Sequence, residues 1–101
     1  VDRIEYFARL VAEEPQEARA RYGYANELLR AERWEEAAGE LRVYLALADD
    51  EGNGYGRLAT ALRELGRPNE AADAYLAGID AAERHGHHDM AEEFRQGIEA
   101  L

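Results

Sequence analysis

The sequence predicts an all-α fold of stacked helix–turn–helix units, and three observations carry that prediction. The stretch Tyr55 to Gly78 reads as two amphipathic helices broken at Gly66-Arg67-Pro68. Tyr55, Leu58, Ala59, Leu62 and Leu65 recur every three or four residues, as do Ala71, Ala72, Tyr75 and Ile79, which gathers each set on one helix face. Second, the pattern returns 34 residues earlier: Ala59 answers Ala25, Leu62 answers Leu28, and Ala71-Ala72 answers Ala37-Ala38. Return at a fixed period of about 20–50 residues is the signature of a stacked repeat. Third, Ala25, Ala37, Ala59 and Ala71 are small where two helix backbones must come close, and a larger side chain there would overpack by ~1–3 kcal/mol.

The helices follow in order. Residues 2–13 place Ile4, Phe7, Leu10 and Val11 on one stripe, and Pro15 ends that helix. A second helix is expected over about 16–31, with Tyr22 and Tyr24 supplying bulk, and a third over about 34–48, opened by Trp34, the only tryptophan. The fourth begins near Tyr55. Before it, Asp49-Asp50-Glu51 suits a helix N-terminus, whereas Gly52, Gly54 and Gly56 are expected to fray the first turn or to open space beside it. Gly66 ends this helix in a left-handed backbone, and Pro68 opens the next, where its missing N–H has no intrahelical partner. That fifth helix runs long, to about residue 84. The sixth spans about 89–101 with Met90, Phe94, Ile98 and Leu101 on one face, and Asp89 with Glu92 has capping-box spacing.

A 34-residue helix–turn–helix period resembles the tetratricopeptide repeat (TPR) family, whose pattern runs W-x2-L-G-x2-Y, then A-x3-F, then P. Here it stands as Tyr55-x2-Leu58-Ala59-x2-Leu62, then Ala71-x3-Tyr75; the earlier copy reads Arg21-x2-Tyr24-Ala25-x2-Leu28, then Ala37-x3-Leu41. The resemblance implies a right-handed superhelical α-α solenoid forming a single domain over 1–101: a half-repeat helix at 1–15, full repeats at 16–49 and 50–84, and a capping helix at 87–101. Tyr44 falls where the family prefers a small residue, so a wider gap or a shifted next helix is needed to fit it. Trp34 falls where the family has an aromatic that packs across the turn of its own repeat.

Composition limits the function classes. The chain has 101 residues, no cysteine and a formal net charge of −10, which argues against nucleic acid as the main partner. No apolar run approaches the ~20 residues of a membrane span, so no membrane partner is expected. No signal peptide is visible and a cytoplasmic location is the expectation, although the chain starts at Val1 and an upstream segment is compatible with that. The charge is unevenly spread. Arg19, Arg21 and Arg30 outnumber Glu17 and Glu27, and Arg57, Arg63 and Arg67 outnumber Glu51 and Glu64, whereas residues 32–50 and 68–84 are acidic. In the family the first helices of each repeat line a concave groove, so the resemblance implies a basic groove on an acidic shell.

No Ser/His/Asp or Cys/His arrangement can be assembled, no cofactor is implied, and an enzyme is not expected. The resemblance implies a protein–protein interaction module, an adaptor or scaffold binding an extended or C-terminal peptide segment, acidic or carboxylate-ending. Its groove residues would be Arg19, Tyr22, Asn26, Leu29, Arg30, Asn53, Arg57, Thr60 and Arg63, with arginine as the fork for carboxylate. One subfamily clamps the C-terminal carboxylate of chaperones with lysine and asparagine. Asn26 sits at the groove asparagine, but Tyr22 replaces the lysine one turn before it and only two full repeats are present, so chaperone recognition does not follow.

Other readings stand beside this one. The first helix resembles the second half of a repeat whose first half is missing. Either the chain is trimmed from a longer array, or Ile4, Phe7 and Val11 are covered by self-association, the chain being a structural unit that forms a homodimer through its N-terminal or its C-terminal helix, or the first helix turns to bury them against the next repeat. His85, His87 and His88, with Asp89, form a weak candidate metal site; Gly86 ending one helix and His85 at its C-terminus explain the same residues structurally. The G-x-G-x-G run before Arg57 matches a phosphate loop weakly, since no strand precedes it.

Overall fold

In the computed structural model, which describes residues 2–101, the chain forms six α-helices and, among the described residues, no strand. They are α1 Arg3–Glu13, α2 Ala18–Arg30, α3 Trp34–Leu47, α4 Asn53–Glu64, α5 Pro68–Arg84 and α6 His88–Glu99. Each packs mainly on its neighbours in the chain, giving an elongated body of 39 × 28 × 18 Å. That one-dimensional order is what a stack of helical pairs produces. Among the described residues no helix is long and apolar enough to cross a membrane.

The core is the set of small and aliphatic residues that the period aligns. Ala25, Ala37, Ala59 and Ala71 are fully buried, and Leu28, Leu41 and Leu62 are the largest side chains with under 2 % exposure. Each such leucine contributes ~1.5–3 kcal/mol relative to an exposed one. One half-buried ion pair reinforces the pairing of α2 with α3, where Arg21 Nη1 lies 2.9 Å from Glu40 Oε1.

Three helix ends share one backbone solution. After α2, α4 and α5 the chain turns through a left-handed residue: Glu32 (φ 57°), Gly66 (φ 72°) and Gly86 (φ 78°). In each, two N–H groups return to the last turn, as when Gly66 N donates to Arg63 O at 3.0 Å and Arg67 N donates to Leu62 O at 2.9 Å. This satisfies carbonyls that would otherwise lack partners. Gly66 and Gly86 therefore act as expected, while Glu32 holds the same conformation with a Cβ.

Helix starts depart from expectation in two places. α4 begins at Asn53, before Tyr55, and keeps Gly54 and Gly56 inside the helix. The reason is Asp50, buried at 8 % exposure, whose Oδ1 accepts from Gly52 N at 2.7 Å and from Gly54 N at 2.9 Å. A carboxylate on the first N–H groups stabilises the turn that the glycines would loosen. α6 starts at His88 with His87 as its N-cap and no side-chain cap bond. Asp89 thus lies in the first turn, and the capping box expected with Glu92 does not form.

The glycines also receive neighbouring rings. A Cβ at Gly54 would lie 2.8 Å from Tyr44 Cε2, so the bulk of Tyr44 is accommodated by removing a side chain from the next helix. Phe94 of α6 fits in the same way against Gly56 and Gly78, where a Cβ would come within 2.8 and 2.9 Å of its ring. At the other end, Phe7 of α1 lies against Gly23, and Val11 is buried at 8 % exposure. Ile4 and Phe7 are half-buried, and the large hydrophobic side chain that α1 leaves exposed is Tyr6, at 52 %.

Candidate functional site

The site is built on α2 and α4, the first helices of the two full helical pairs. Residues 22, 26, 29 and 30 share one face of α2, and 53, 57, 60 and 63 share one face of α4. Packing brings part of this set together. Asn26, Leu29, Arg30, Arg57 and Thr60 line one cavity of about 330 Å³, with Trp34 from the start of α3 as a further wall. Asn53, Arg57 and Thr60 also line an adjoining cavity of about 320 Å³, closed by Met90, Glu93 and Phe94 of α6. Arg57 and Thr60 are the boundary between the two.

Arg57 is held in place. Its Nε donates to Tyr22 Oη at 2.9 Å, and the guanidinium carbon sits 5.8 Å from the centre of the Tyr22 ring. Tyr22 in turn stacks on Tyr44, with ring centroids 4.5 Å apart, and Tyr44 Oη donates to Asp50 Oδ2 at 2.7 Å. Burial, together with that hydrogen bond, pushes the Tyr44 phenol above its ordinary range. A chain of contacts therefore runs from the buried Asp50 to Arg57. It leaves the two terminal guanidinium nitrogens, the geometry that grips a carboxylate, with no carboxylate of the described residues within 4 Å, although Glu93 lines the adjoining cavity. Among the described residues Arg57 enters no ion pair, in contrast to most of the other arginines.

Other expected residues are placed differently. Arg30 lines the cavity, but its Nη1 lies 2.9 Å from Glu27 Oε2, an oxygen that Arg3 also approaches at 3.1 Å. Glu27 is buried at 8 % exposure, so the two arginines neutralise a carboxylate that could not otherwise remain there. Asn26 Oδ1 is buried and accepts no hydrogen bond. Thr60 Oγ1 donates back to Gly56 O at 3.1 Å. Arg19 lies apart, in a cavity of about 400 Å³ between α1 and α2 lined by Phe7, Leu10, Glu14, Glu17 and Ala20. Arg63 sits beside Glu64 at 3.7 Å and lines neither of the two α2–α4 cavities.

Trp34 is the residue that sequence reasoning assigned to packing alone. It does pack against the core, and it also forms a wall of the site. The available signal was its position one turn beyond Leu29 and Arg30, just past the left-handed Glu32.

These dispositions match a known architecture. Two solved structures of MamA, a TPR-containing protein, superpose on the chain with TM-scores of 0.67: a point mutant at 20 % identity and a MamA from AMB-1 at 21 %. The fold is a TPR-like helical repeat. Both alignments cover 97 % of this chain, which spans 65 % of one MamA chain and 66 % of the other. No protein-family model matches the chain, and no curated protein matches it by sequence.

The histidines do not converge. His87 Nε2 lies 2.6 Å from Glu51 Oε1, and His85 Nε2 lies 3.5 Å from Asp49 Oδ2, so each faces a different carboxylate of the α3–α4 loop. Among the described residues no three His, Asp or Glu side chains are grouped to hold a metal ion. The phosphate-loop pattern is likewise occupied from within: the N–H groups of Gly52 and Gly54 are bound to Asp50. Val11, named with Ile4 and Phe7 for self-association, is buried in its own chain and offers little area to a second copy.

Proposed function

We propose that the chain is a non-catalytic protein-interaction module that holds an extended, acidic or carboxylate-ending peptide segment across α2 and α4. The single observation behind this reading is Arg57: unpaired in an acidic chain, fixed by Tyr22, and standing between two adjoining cavities. A pre-positioned guanidinium loses little freedom on binding, which favours affinity. The TPR-like fold supports the reading, since such stacks present one helix of each pair to an extended ligand. In this view residues 16–49 and 50–84 act as the two binding repeats, and α6 as a cap whose outer side carries Glu92, Arg95 and Glu99. The deciding experiment measures binding of short acidic peptides, with free and amidated C-termini, to the chain and to Arg57→Ala. Preference for the free carboxylate, lost in the variant, supports the groove; equal binding to both chains removes it.

A second reading, homodimerisation through α1, draws on Tyr6, exposed at 52 % and edge-on to the Phe7 ring at 5.3 Å. Light scattering at high concentration tests it, and a monomer there ends it.

A further inference from the structure

A groove runs between α3 and α5, the second helices of the two pairs. It encloses about 520 Å³, more than either cavity between α2 and α4. Leu45 and Ala46 form one wall, Ala74 and Ala77 the other, and Tyr55 and Leu58 of α4 the floor. The space exists because α3 and α5 pack on α4 far more than on one another, and because Ala46 and Ala77, both exposed, do not fill it. One ion pair spans it, with Arg42 Nη2 3.1 Å from Glu70 Oε1. The outer shoulders of the groove are apolar as well. Val43 stands one turn from Ala46 and is 37 % exposed, and Leu76 stands one turn from Asp73 and is 57 % exposed. Large apolar side chains on both sides of an apolar hollow make a continuous patch, which marks an interaction surface where a lone exposed leucine would not.

We propose that this groove is a second docking surface, which takes the apolar face of a basic amphipathic helix from another protein. Aliphatic side chains enter between Ala46 and Ala77, Val43 and Leu76 cover their flanks, and a lysine or arginine reaches Asp73. The proposal goes beyond the α2–α4 reading and does not depend on it. Charge complementarity names the occupant. Acidic residues outnumber arginine three to one in α3 and four to one in α5. Glu70 is engaged by Arg42, and Asp80 by Arg84, whereas Asp73, exposed on the rim, enters no ion pair among the described residues. A groove between two helices suits the ridge of side chains that a third helix presents every three or four residues. A second copy fits less well. The exposed face of α1 would bring Glu5 and Glu13 along with Tyr6 and Arg9 against an acidic rim.

The probe is the peptide acetyl-Lys-Ala-Leu-Lys-Lys-Leu-Ala-Lys-Ala-Leu-Lys-Lys-Leu-Ala-amide, titrated into the isotope-labelled chain and followed by amide NMR shifts. Its blocked end offers no carboxylate to Arg57, so the α2–α4 groove is tested separately. Binding is expected to move the signals of Val43, Ala46, Asp73, Leu76 and Ala77. Peptides with every leucine changed to alanine, or every lysine to glutamate, are expected to bind at least about tenfold more weakly. In the chain, Leu76→Ala weakens binding about threefold to tenfold, and Asp73→Asn about threefold with the difference vanishing at high salt. Both residues are exposed, so the fold withstands either change, and the three peptides on the unmodified chain give an independent answer. Glu99→Gln, which removes an exposed charge on α6, leaves binding unchanged. Equal weakening by Glu99→Gln and Asp73→Asn overturns the proposal by assigning binding to net charge alone. Signals moving at Asn26 and Thr60 instead, or no binding at all, overturn it as well. Shifts at Val43 and Leu76 on concentrating the chain without peptide replace the partner helix with a second copy and overturn the proposed occupant.

Discussion

Tyr22 Oη accepts a hydrogen bond from Arg57 Nε at 2.9 Å across 35 positions of sequence, joining the first helix of one pair to the first helix of the next. The contact orients a cation and couples two repeats. Removing the hydroxyl in Tyr22→Phe keeps the stacked ring and releases the guanidinium. Binding of an acidic, carboxylate-ending peptide is expected to weaken about threefold to tenfold, and by more in Arg57→Ala, because a charge-assisted bond contributes about 1.5–3 kcal/mol. Calorimetric titration of both variants checks the order.

Gly54 and Gly39 separate two effects of glycine in a helix. At Gly54 an added Cβ would meet Tyr44 Cε2 at 2.8 Å and Asp50 Oδ2 at 3.0 Å, whereas at Gly39, in the middle of α3, nothing lies within 4 Å. Alanine suits a helix better than glycine by ~1 kcal/mol. Gly39→Ala is therefore expected to stabilise by about 0.5–1 kcal/mol, and Gly54→Ala to destabilise by about 1–3 kcal/mol through overpacking. Urea denaturation of the two variants should give midpoints moved in opposite directions.

Glu32 holds φ 57° at a turn where the equivalent residues after α4 and α5 are Gly66 and Gly86. A left-handed backbone costs a residue with a Cβ roughly 1–2 kcal/mol, part of which glycine returns as unfolded-state freedom. Glu32→Gly is expected to stabilise by about 0.5–1 kcal/mol and to raise the melting temperature by a few degrees.

The Tyr44 phenol, buried and bound to Asp50, is pushed above its ordinary value of 10.0. Folding therefore favours its neutral form. That contribution is fully present below pH about 10 and is lost as the pH rises from there toward the raised folded value. Wild-type stability should fall above pH 10 more steeply than that of Tyr44→Phe, measured by denaturation at pH 8, 10 and 11. Parallel curves would show that Tyr44 titrates as it does in water.

Much of the architecture was legible because helical periodicity and the 34-residue return are local properties. Ala25, Ala37, Ala59 and Ala71 announce close backbone approach by their size, and Gly66 and Pro68 mark a helix end and start by their allowed torsions. The start of α4 was harder to read. Gly52, Gly54 and Gly56 predict a weak first turn by propensity, and the tertiary fold overrides that through Asp50 below and the Tyr44 and Phe94 rings alongside. The histidine cluster was misleading for a related reason: neighbours in sequence were drawn to Asp49 and Glu51 of a loop some 36 residues away.

The site shows the same division. Periodicity put Asn26, Arg30, Arg57 and Thr60 on two helix faces, and that much follows from 3.6 residues per turn. Which arginine remains available did not follow. Arg30 is engaged by the buried Glu27, while Arg57 bonds to Tyr22 and forms no ion pair among the described residues. Helix order, small-residue crossings and turn positions are written in near neighbours along the chain. The partner of each charge depends on how separate helices are set against one another, and distances of a few ångströms between them decide whether a cation is neutralised or left to bind.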